Sequence, residues 1–345
     1  MKPIVPTITG IGSVTPYGVL AGLIPPATLE PSPITAWATS GLRRAFLVQP
    51  FQPSSVVPGL KTRRLDRLSA WALVAASLAL QDAGIDLNQL DRTRVAVVFA
   101  TGFGCIELTE SFYQSAFANG WAGTDPITFP ETLTNSPAGH VALFHNLRGP
   151  NITISGKHFA AESALLQAAS LLRHDQADLA IVIAGDTLTQ SMYEWYEAAE
   201  FLSPACFGGE PQSKTSGFVP GEGVVALVLE ANEKRDTRSY AHLHTGRWAS
   251  SGDPMEPVRQ LLHDITPNLL ICASNGTPCD IGTVSAASNA AGTIFPAQSV
   301  ALGLTDTGAL LHLVLALSHQ PESGTALLLA TSGSSGYAAL QLEIA

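Results

Sequence analysis

Charged side chains are scarce in this sequence. Asp, Glu, Lys and Arg make up only 13% of the 345 residues, about half of the share of roughly 25% that is usual in soluble proteins. Hydrophobic residues, in contrast, make up 46%. This composition excludes a disordered chain, a coiled coil and a halophilic surface, which all need many charged or polar residues. We expect a large buried core and a surface that another chain covers in part.

Positive charge is also in short supply. The 18 basic residues against 28 acidic ones give a formal net charge of −10. A nucleic-acid partner needs a basic face that displaces counterions from phosphates. The sequence holds one basic cluster, formed by Lys61, Arg63, Arg64 and Arg67. The composition therefore argues against nucleic-acid binding.

Cysteine and long apolar runs are sparse as well. The four cysteines, Cys105, Cys206, Cys272 and Cys279, lie too far apart for a CxxC site and are too few for a disulfide scaffold. No pair of histidines has the spacing of a zinc-binding helix. No apolar run approaches the ~18 residues of a membrane-spanning helix, and the first residues hold no apolar signal-peptide core. We expect free thiols, no metal, no membrane contact and a cytoplasmic location.

The apolar residues that are present predict an α/β fold. Residues 65–83 place apolar side chains at helical spacing, and Gly84 suits the cap that follows such a helix. The β-branched run at residues 94–101 is typical of a buried strand. A strand, a helix and another strand are predicted at residues 151–155, 162–173 and 179–184. A right-handed crossover is the default for such a unit.

Glycines are predicted to mark turns in three places. Gly10-Ile11-Gly12 would end an opening strand over residues 4–12. Gly185-Asp186 would form the turn after the strand at residues 179–184. Gly217, Gly221 and Gly223 would set the turn of a hairpin around residues 218–229.

An internal repeat indicates two similar halves. The apolar helix, polar turn and strand of residues 164–184 return in the same order at residues 309–329. A looser echo links residues 98–102 with residues 270–273. We predict a duplicated fold that consists of residues 1–230 and 231–345.

Four motifs in order resemble the β-ketoacyl synthases, the condensing enzymes of the thiolase fold. They are Thr9-Gly10-Ile11-Gly12, Arg64-Leu65-Asp66-Arg67, Leu147-Arg148-Gly149-Pro150-Asn151 and Gly217-Phe218-Val219-Pro220-Gly221-Glu222-Gly223. The resemblance implies a thiolase-like layered αβαβα fold of two pseudo-duplicated halves. It also implies that the second half, residues 231–345, is shortened.

The resemblance further implies that the catalytic residues of this family are replaced. Such enzymes use a cysteine at a helix N-terminus and two histidines. By position, the cysteine corresponds to His158, the first histidine to Ala273, and the second to Leu302 or Gly303. The chain is therefore expected to lack condensing activity of its own.

This pattern is similar to the chain-length factors of type II polyketide systems, and the compact length is similar to those of polyene pathways. The resemblance implies a heterodimer with an active ketosynthase, which itself receives most of the docking by the acyl-carrier protein. Substrates would be carried on the phosphopantetheine of that carrier, with no cofactor on this chain. The implied dimer interface is Asn151, Ile152, Thr153, Ile154 and Ser155. The implied tunnel lining is Ile106, Thr109, Phe112, Tyr113 and Phe129, with Thr128 at the gate.

Two alternatives stay open. The chain could be an acyltransferase or malonyl decarboxylase that uses His158 or a cysteine, or an interface stabiliser that does not set product length. His158 also suits a tunnel plug or a core histidine with satisfied hydrogen bonds. Lys157 and Glu162, near the start of the helix, are expected to form a structural ion pair.

Overall fold

A computed structural model describes most of the chain. The described residues are 4–27, 29–37, 41–207, 217–231, 239–250, 267–273, 293–295, 308–319, 323–331 and 336–345. In these residues no helix is both long enough and apolar enough to cross a membrane.

The chain alternates strands and helices over most of its length. The strands are β1 (Thr7–Thr15), β2 (Gly18–Ala21), β3 (Ser32–Pro33), β4 (Arg44–Ala45), β5 (Val95–Thr101), β6 (Asn151–Ser155), β7 (Leu179–Asp186), β8 (Gly223–Glu230), β9 (Ala241–Ser250), β10 (Leu269–Ala273), β11 (Thr293–Phe295), β12 (Gly324–Thr331) and β13 (Gly336–Ile344). The helices are α1 (Pro53–Val56), α2 (Arg67–Asp82), α3 (Ile106–Asn119), α4 (Ser136–Phe144), α5 (Ala160–Arg173), α6 (Gln190–Ala198) and α7 (Gly308–His319).

The main sheet has two halves with matching strand orders. Its order is β11-β10-β12-β13-β9-β1-β8-β7-β5-β6, with β2 added beside β1. In one half β5 runs parallel to both β6 and β7, and in the other β10 runs parallel to both β11 and β12. The halves meet where Thr7 and Ile8 of β1 pair with His242 and Ala241 of β9. This arrangement confirms the predicted α/β fold, and the echoed segments are α5 with β7 and α7 with β12.

The buried apolar residues form two cores, one on each face of the sheet at β7. Strand β7 is buried on both faces, so its alternate side chains enter different cores. Ala180, Val182 and Ala184 pack with α5 and α7, whereas Leu179, Ile181 and Ile183 pack with α2 and α4. The described elements thus stack in the order α2 with α4, one half of the main sheet, α5 with α7, and the other half of the sheet, and a fifth layer is not among the described residues.

The turn predicted at Gly10–Gly12 is wrong, because β1 continues through both glycines to Thr15. A Cβ on Gly12 would lie 2.1 Å from the carbonyl oxygen of Ala75, and one on Gly10 would lie 2.2 Å from that of Ala79. Both carbonyls belong to α2. The glycines therefore allow α2 to pack directly on the strand backbone rather than allowing the chain to turn.

The other two turn predictions are also wrong. Gly185 and Asp186 are the last residues of β7, and Asp186 is buried. Residues 217–222 do not form a hairpin strand with β8. Phe218 makes an isolated bridge to Leu202, and Gly221 makes one to Phe46. These residues lead into β8, which pairs with β1 and β7.

Candidate functional site

The strands β7, β5 and β6 are neighbours and run parallel, so their carboxyl ends lie side by side. Open α/β sheets bind their ligands beyond the carboxyl ends of their strands. Asp186 closes β7, Gly102 follows β5, and Lys157 and His158 follow β6. The structure therefore places an acidic side chain at the end of β7 and a basic and an imidazole side chain after the end of β6, with the end of β5 between them.

Asp186 receives a set of short hydrogen bonds from the end of β5. Thr101 Oγ1 donates to its carboxylate at 2.6 Å, and the backbone N–H groups of Gly102 and Phe103 donate at 3.0 and 2.9 Å. The N–H of Gly104 donates to Thr101 Oγ1 at 2.8 Å. Burial raises the pKa of Asp186, and these hydrogen bonds oppose that shift. The sequence prediction of a turn missed this carboxylate.

Lys157 lies across the same loop. Its Nζ donates to the carbonyl oxygen of Gly102 at 2.8 Å and lies 2.9 Å from the centre of the Phe103 ring. An ammonium over an aromatic face is attracted by the ring quadrupole. The positive charge of Lys157 also lowers the pKa of Asp186, against the larger effect of burial.

His158 is exposed at the start of α5, with its ring 6.3 Å from that of Phe159. The interpretation of His158 as a core histidine is therefore wrong. Phe159 adopts the left-handed conformation, with φ of 59°, and is the N-cap residue immediately before α5. Residues 155–159, in which the family resemblance places the nucleophile, contain no cysteine.

Glu162 lies in the first turn of α5 and is buried, with only 2% of its surface exposed. Burial raises its pKa to about 7, although a hydrogen bond from its own backbone N–H opposes the shift. Its Oε2 has no hydrogen-bond partner among the described residues. The Lys157 amine instead contacts the loop after β5, so the expected ion pair between Lys157 and Glu162 is wrong.

Two of the sequence motifs meet at a further buried carboxyl group, that of Glu222. Arg67 Nη2 lies 3.0 Å from Glu222 Oε2 and 3.0 Å from Glu107 Oε1. The backbone N–H groups of Val48 and Leu188 also donate to Glu222. Burial raises the pKa of Glu222, and Arg67 lowers it. This network joins the starts of α2, α3 and β8.

The predicted tunnel residues lie mostly on α3. Among the 14 residues of this helix, only Ala116 is buried. Ile106, Thr109 and Phe112 are half-buried, and Tyr113 is 47% exposed. Five aromatic side chains on and beside this helix contact one another through their rings. We call them the α3 patch: Phe112, Tyr113, Phe117, Trp121 and Phe129.

Thr128 and Phe129 face different surroundings although they are adjacent. The Phe129 ring lies 5.7 Å from that of Phe112. Thr128 donates to Asp125 Oδ2 at 3.0 Å and lines an open cleft of about 300 Å³. The cleft is lined by Arg63, Arg64, Leu65, Leu108, Asp125, Ile127, Thr128 and Glu131. The structure thus gathers the predicted aromatic lining residues and places the predicted gate beside them, in this cleft.

The predicted interface strand β6 is at the edge of the sheet. In the described part of the chain it pairs with β5 alone. Ile152 and Ile154 pack against the core, whereas Asn151 and Ser155 are exposed. Asn151 Nδ2 donates to the carbonyl oxygen of Ala138 in α4, and no described residue hydrogen-bonds the buried Thr153 hydroxyl. An open edge of this kind is a template for pairing with another chain.

The remaining predicted positions are less informative. Ala273 is the last residue of β10, and Leu302 and Gly303 fall outside the described residues. Burial raises the pKa of the Cys105 thiol to about 12 and that of the Cys206 thiol to about 11. Across the described ranges, His, Cys, Asp and Glu side chains form no group of three or more that could hold a metal ion.

Comparison with known proteins agrees with this fold and these motifs. Residues 24–235 match the family described as "Beta-ketoacyl synthase, N-terminal domain", and the chain belongs to that family. It is 27% identical over 248 residues to a 3-oxoacyl-[acyl-carrier-protein] synthase 2 of Vibrio cholerae, covering 67% of this chain and 59% of that protein. It is 28% identical over 243 residues to nodulation protein E of Rhizobium leguminosarum bv. trifolii, covering 68% of this chain and 60% of that protein. The matched part thus spans about three fifths of these relatives.

Solved structures extend the similarity of fold to the whole chain. The ishigamide ketosynthase/chain length factor matches with a TM-score of 0.75 at 20% identity, covering 99% of both chains. A β-ketoacyl synthase from Burkholderia phymatum matches with a TM-score of 0.79 at 16% identity, covering 99% of this chain and 100% of that one. These likenesses establish the thiolase-like ketosynthase fold.

Proposed function

We propose that this chain is a non-catalytic chain-length factor. In this proposal it pairs with an active ketosynthase and shapes the acyl tunnel during type II polyketide synthesis of the polyene kind. The observation that carries the proposal is the uncovered apolar surface of the α3 patch, which α4 links to the open edge of β6.

The α3 patch supports a covering partner because its exposure is energetically unfavourable. Phe117 is 86% exposed and Trp121 is 70% exposed. Burial of apolar surface contributes about 25 cal/mol per Å², and contiguous exposed patches of this kind mark interaction sites. A second chain that lies over the patch would also be in reach of β6, where it could supply the missing neighbouring strand.

The chemistry at the strand ends supports a non-catalytic role. A ketosynthase thiol must be available as a thiolate, yet residues 155–159 hold no thiol. The raised pKa values of Cys105 and Cys206 keep both of these buried thiols protonated at neutral pH. The fold match to a ketosynthase/chain length factor is consistent with this reading, whereas the matched curated relatives are named as synthases.

Co-expression with an active ketosynthase tests the proposal. We expect a one-to-one complex that is stable on gel filtration, and a loss of this complex in Phe117→Asp. Leu42→Asp is the control, since Leu42 is also an exposed apolar residue but is not one of the residues of the α3 patch. A monodisperse chain that does not bind the ketosynthase would contradict the proposal, and so would equal effects of the two variants on complex formation.

Exposure of His158 favours one second candidate, an acyltransferase or malonyl decarboxylase of altered chemistry. It predicts a mass increase of the intact chain after incubation with acyl-carrier thioesters, abolished in His158→Ala. An unchanged mass would remove this candidate and leave the first proposal standing.

In this proposal the acyl-carrier protein docks mainly on the ketosynthase partner. Acyl-carrier proteins are acidic, and this chain carries a net charge of −10, so like charges discourage docking here. Arg63 and Arg64 are exposed at the cleft that contains Thr128. Arg63→Ala with Arg64→Ala should leave turnover of the complex nearly unchanged, and a large loss would place the docking surface on this chain.

A further inference from the structure

The loop after β5 has the geometry of a backbone anion site. Successive N–H groups, those of Gly102 and Phe103, point at one carboxylate, that of Asp186. Successive N–H groups that converge in this way form a concave nest that binds anions. Thr101 adds a hydroxyl donor, and its own oxygen is held by the N–H of Gly104.

The glycines of this loop fit the same function. A Cβ on Gly102 would lie 3.3 Å from Asp186 Oδ2, closer than most Cβ contacts, so a glycine lets the backbone approach the anion. Gly104 has φ of +68°, in the left-handed region that favours glycine. The loop is therefore shaped around the carboxylate by two residues without side chains.

Lys157 closes the site on its outer side. Its ammonium contacts both the carbonyl of Gly102 and the ring of Phe103, and its charge acts on Asp186. A nest of donors and a cation together form the binding set for an anion. In this chain the anion is a side chain of the protein.

We propose that residues 101–104 and Lys157 form a carboxylate-binding site whose ligand is the chain's own Asp186. While Asp186 holds these donors, a free carboxylate cannot use them. Removal of this side chain leaves a site for a small monocarboxylate such as formate or acetate. This inference does not depend on the chain-length-factor proposal, because it concerns one loop and its ligand within a single chain.

Chemical rescue of Asp186→Ala tests the inference. The full-length variant is unfolded by heat in sodium chloride and in sodium formate or acetate of equal ionic strength. We expect a lowered midpoint in chloride, and a saturable rise in formate or acetate, because a ligand that binds only the folded state stabilises it. Adding Lys157→Met to Asp186→Ala should weaken the apparent acetate affinity about tenfold through loss of a charged contact.

Three controls separate specific rescue from a general salt effect. The unaltered chain and Asp186→Asn keep a side chain in the site and should respond equally to chloride and acetate. Ile183→Ala, on the same strand, loses buried apolar packing without opening an anion site. A folded Asp186→Ala variant whose midpoint rises in acetate no more than that of Ile183→Ala would overturn the inference.

The test also covers a variant that does not fold in chloride. In that case Asp186→Ala is refolded from urea in acetate and in chloride. Recovery that depends on acetate supports the inference, and equal or absent recovery in both salts overturns it.

Discussion

Arg67 and Glu222 form an ion pair in which Arg67 Nη2 lies 3.0 Å from Glu222 Oε2. The two residues come from motifs far apart in the sequence, and the Glu222 side chain is almost fully buried while that of Arg67 is one-third exposed. Arg67 also lies over the Trp71 ring, 4.9 Å from its centre. The guanidinium thus connects α2, α3 and the strand that begins after Glu222.

Arg67→Met should be strongly destabilising because it leaves the Glu222 carboxylate buried without its cation. Breaking a buried ion pair from one side costs about 3–5 kcal/mol, and we expect the lower end because Arg67 is partly exposed. Arg67→Met combined with Glu222→Gln should recover much of that loss. Urea unfolding of both variants measures the difference, and equal stabilities would show that the buried charge is not the cause.

Gly12→Ala should destabilise the packing of α2 on β1. A Cβ on Gly12 would lie 2.1 Å from the backbone oxygen of Ala75, which cannot move without shifting the helix. Overpacking of this kind costs about 1–3 kcal/mol and sometimes more. Gly139→Ala, inside α4 with nothing within 4 Å of its added Cβ, is the matched control and should be stabilising by about 0.5–1 kcal/mol. Thermal unfolding of both variants checks the opposite signs.

Much of the fold was predictable from local pattern. The helix and strand of residues 160–186 and their echo at residues 308–331 bury apolar residues at regular spacing, and that periodicity is visible in the sequence. The predictions of turns at glycines were wrong because a glycine required for close packing cannot be distinguished in the sequence from a glycine required for a turn. At Gly12 and Gly185 neighbouring backbone atoms leave no room for a Cβ, and only the folded chain reveals this close approach.

The candidate site was predicted in part. The β6 residues and the aromatic residues of α3 were predicted through resemblance, and the structure places them at a sheet edge and in an exposed patch. Asp186 and Glu162 were missed as buried carboxyls, because their burial depends on strands and helices distant in sequence. The pattern Gly102-x-Gly104 directly after a strand was the one local signal that could have indicated an anion-binding loop.

Glu162→Gln should change how stability depends on pH. Burial raises the pKa of Glu162 from 4.5 to about 7 in the folded chain. The folded state therefore holds the proton more tightly, and the unaltered chain loses stability as pH rises from about 4.5 to about 7. The glutamine variant lacks this loss. Its stability relative to the unaltered chain should grow across that window by on the order of 3 kcal/mol.

Urea unfolding across that pH range measures the effect. Glu30→Gln is the control, since Glu30 is exposed and its replacement should leave the pH profile parallel to that of the unaltered chain. Parallel profiles for Glu162→Gln and Glu30→Gln would show that Glu162 is not held protonated by burial.

Thr128→Trp distinguishes length control from simple stabilisation of a partner. Thr128 lies in the cleft beside the α3 patch, so a larger side chain there would shorten any tunnel that passes between this chain and a ketosynthase. We expect the reconstituted complex to release products of fewer condensation rounds, measured by mass spectrometry. Thr93→Trp, at an exposed position before β5, should leave product length unchanged. Unchanged products from Thr128→Trp in an intact complex would favour a stabiliser that does not shape the tunnel, because the partner alone would then determine where chain growth stops.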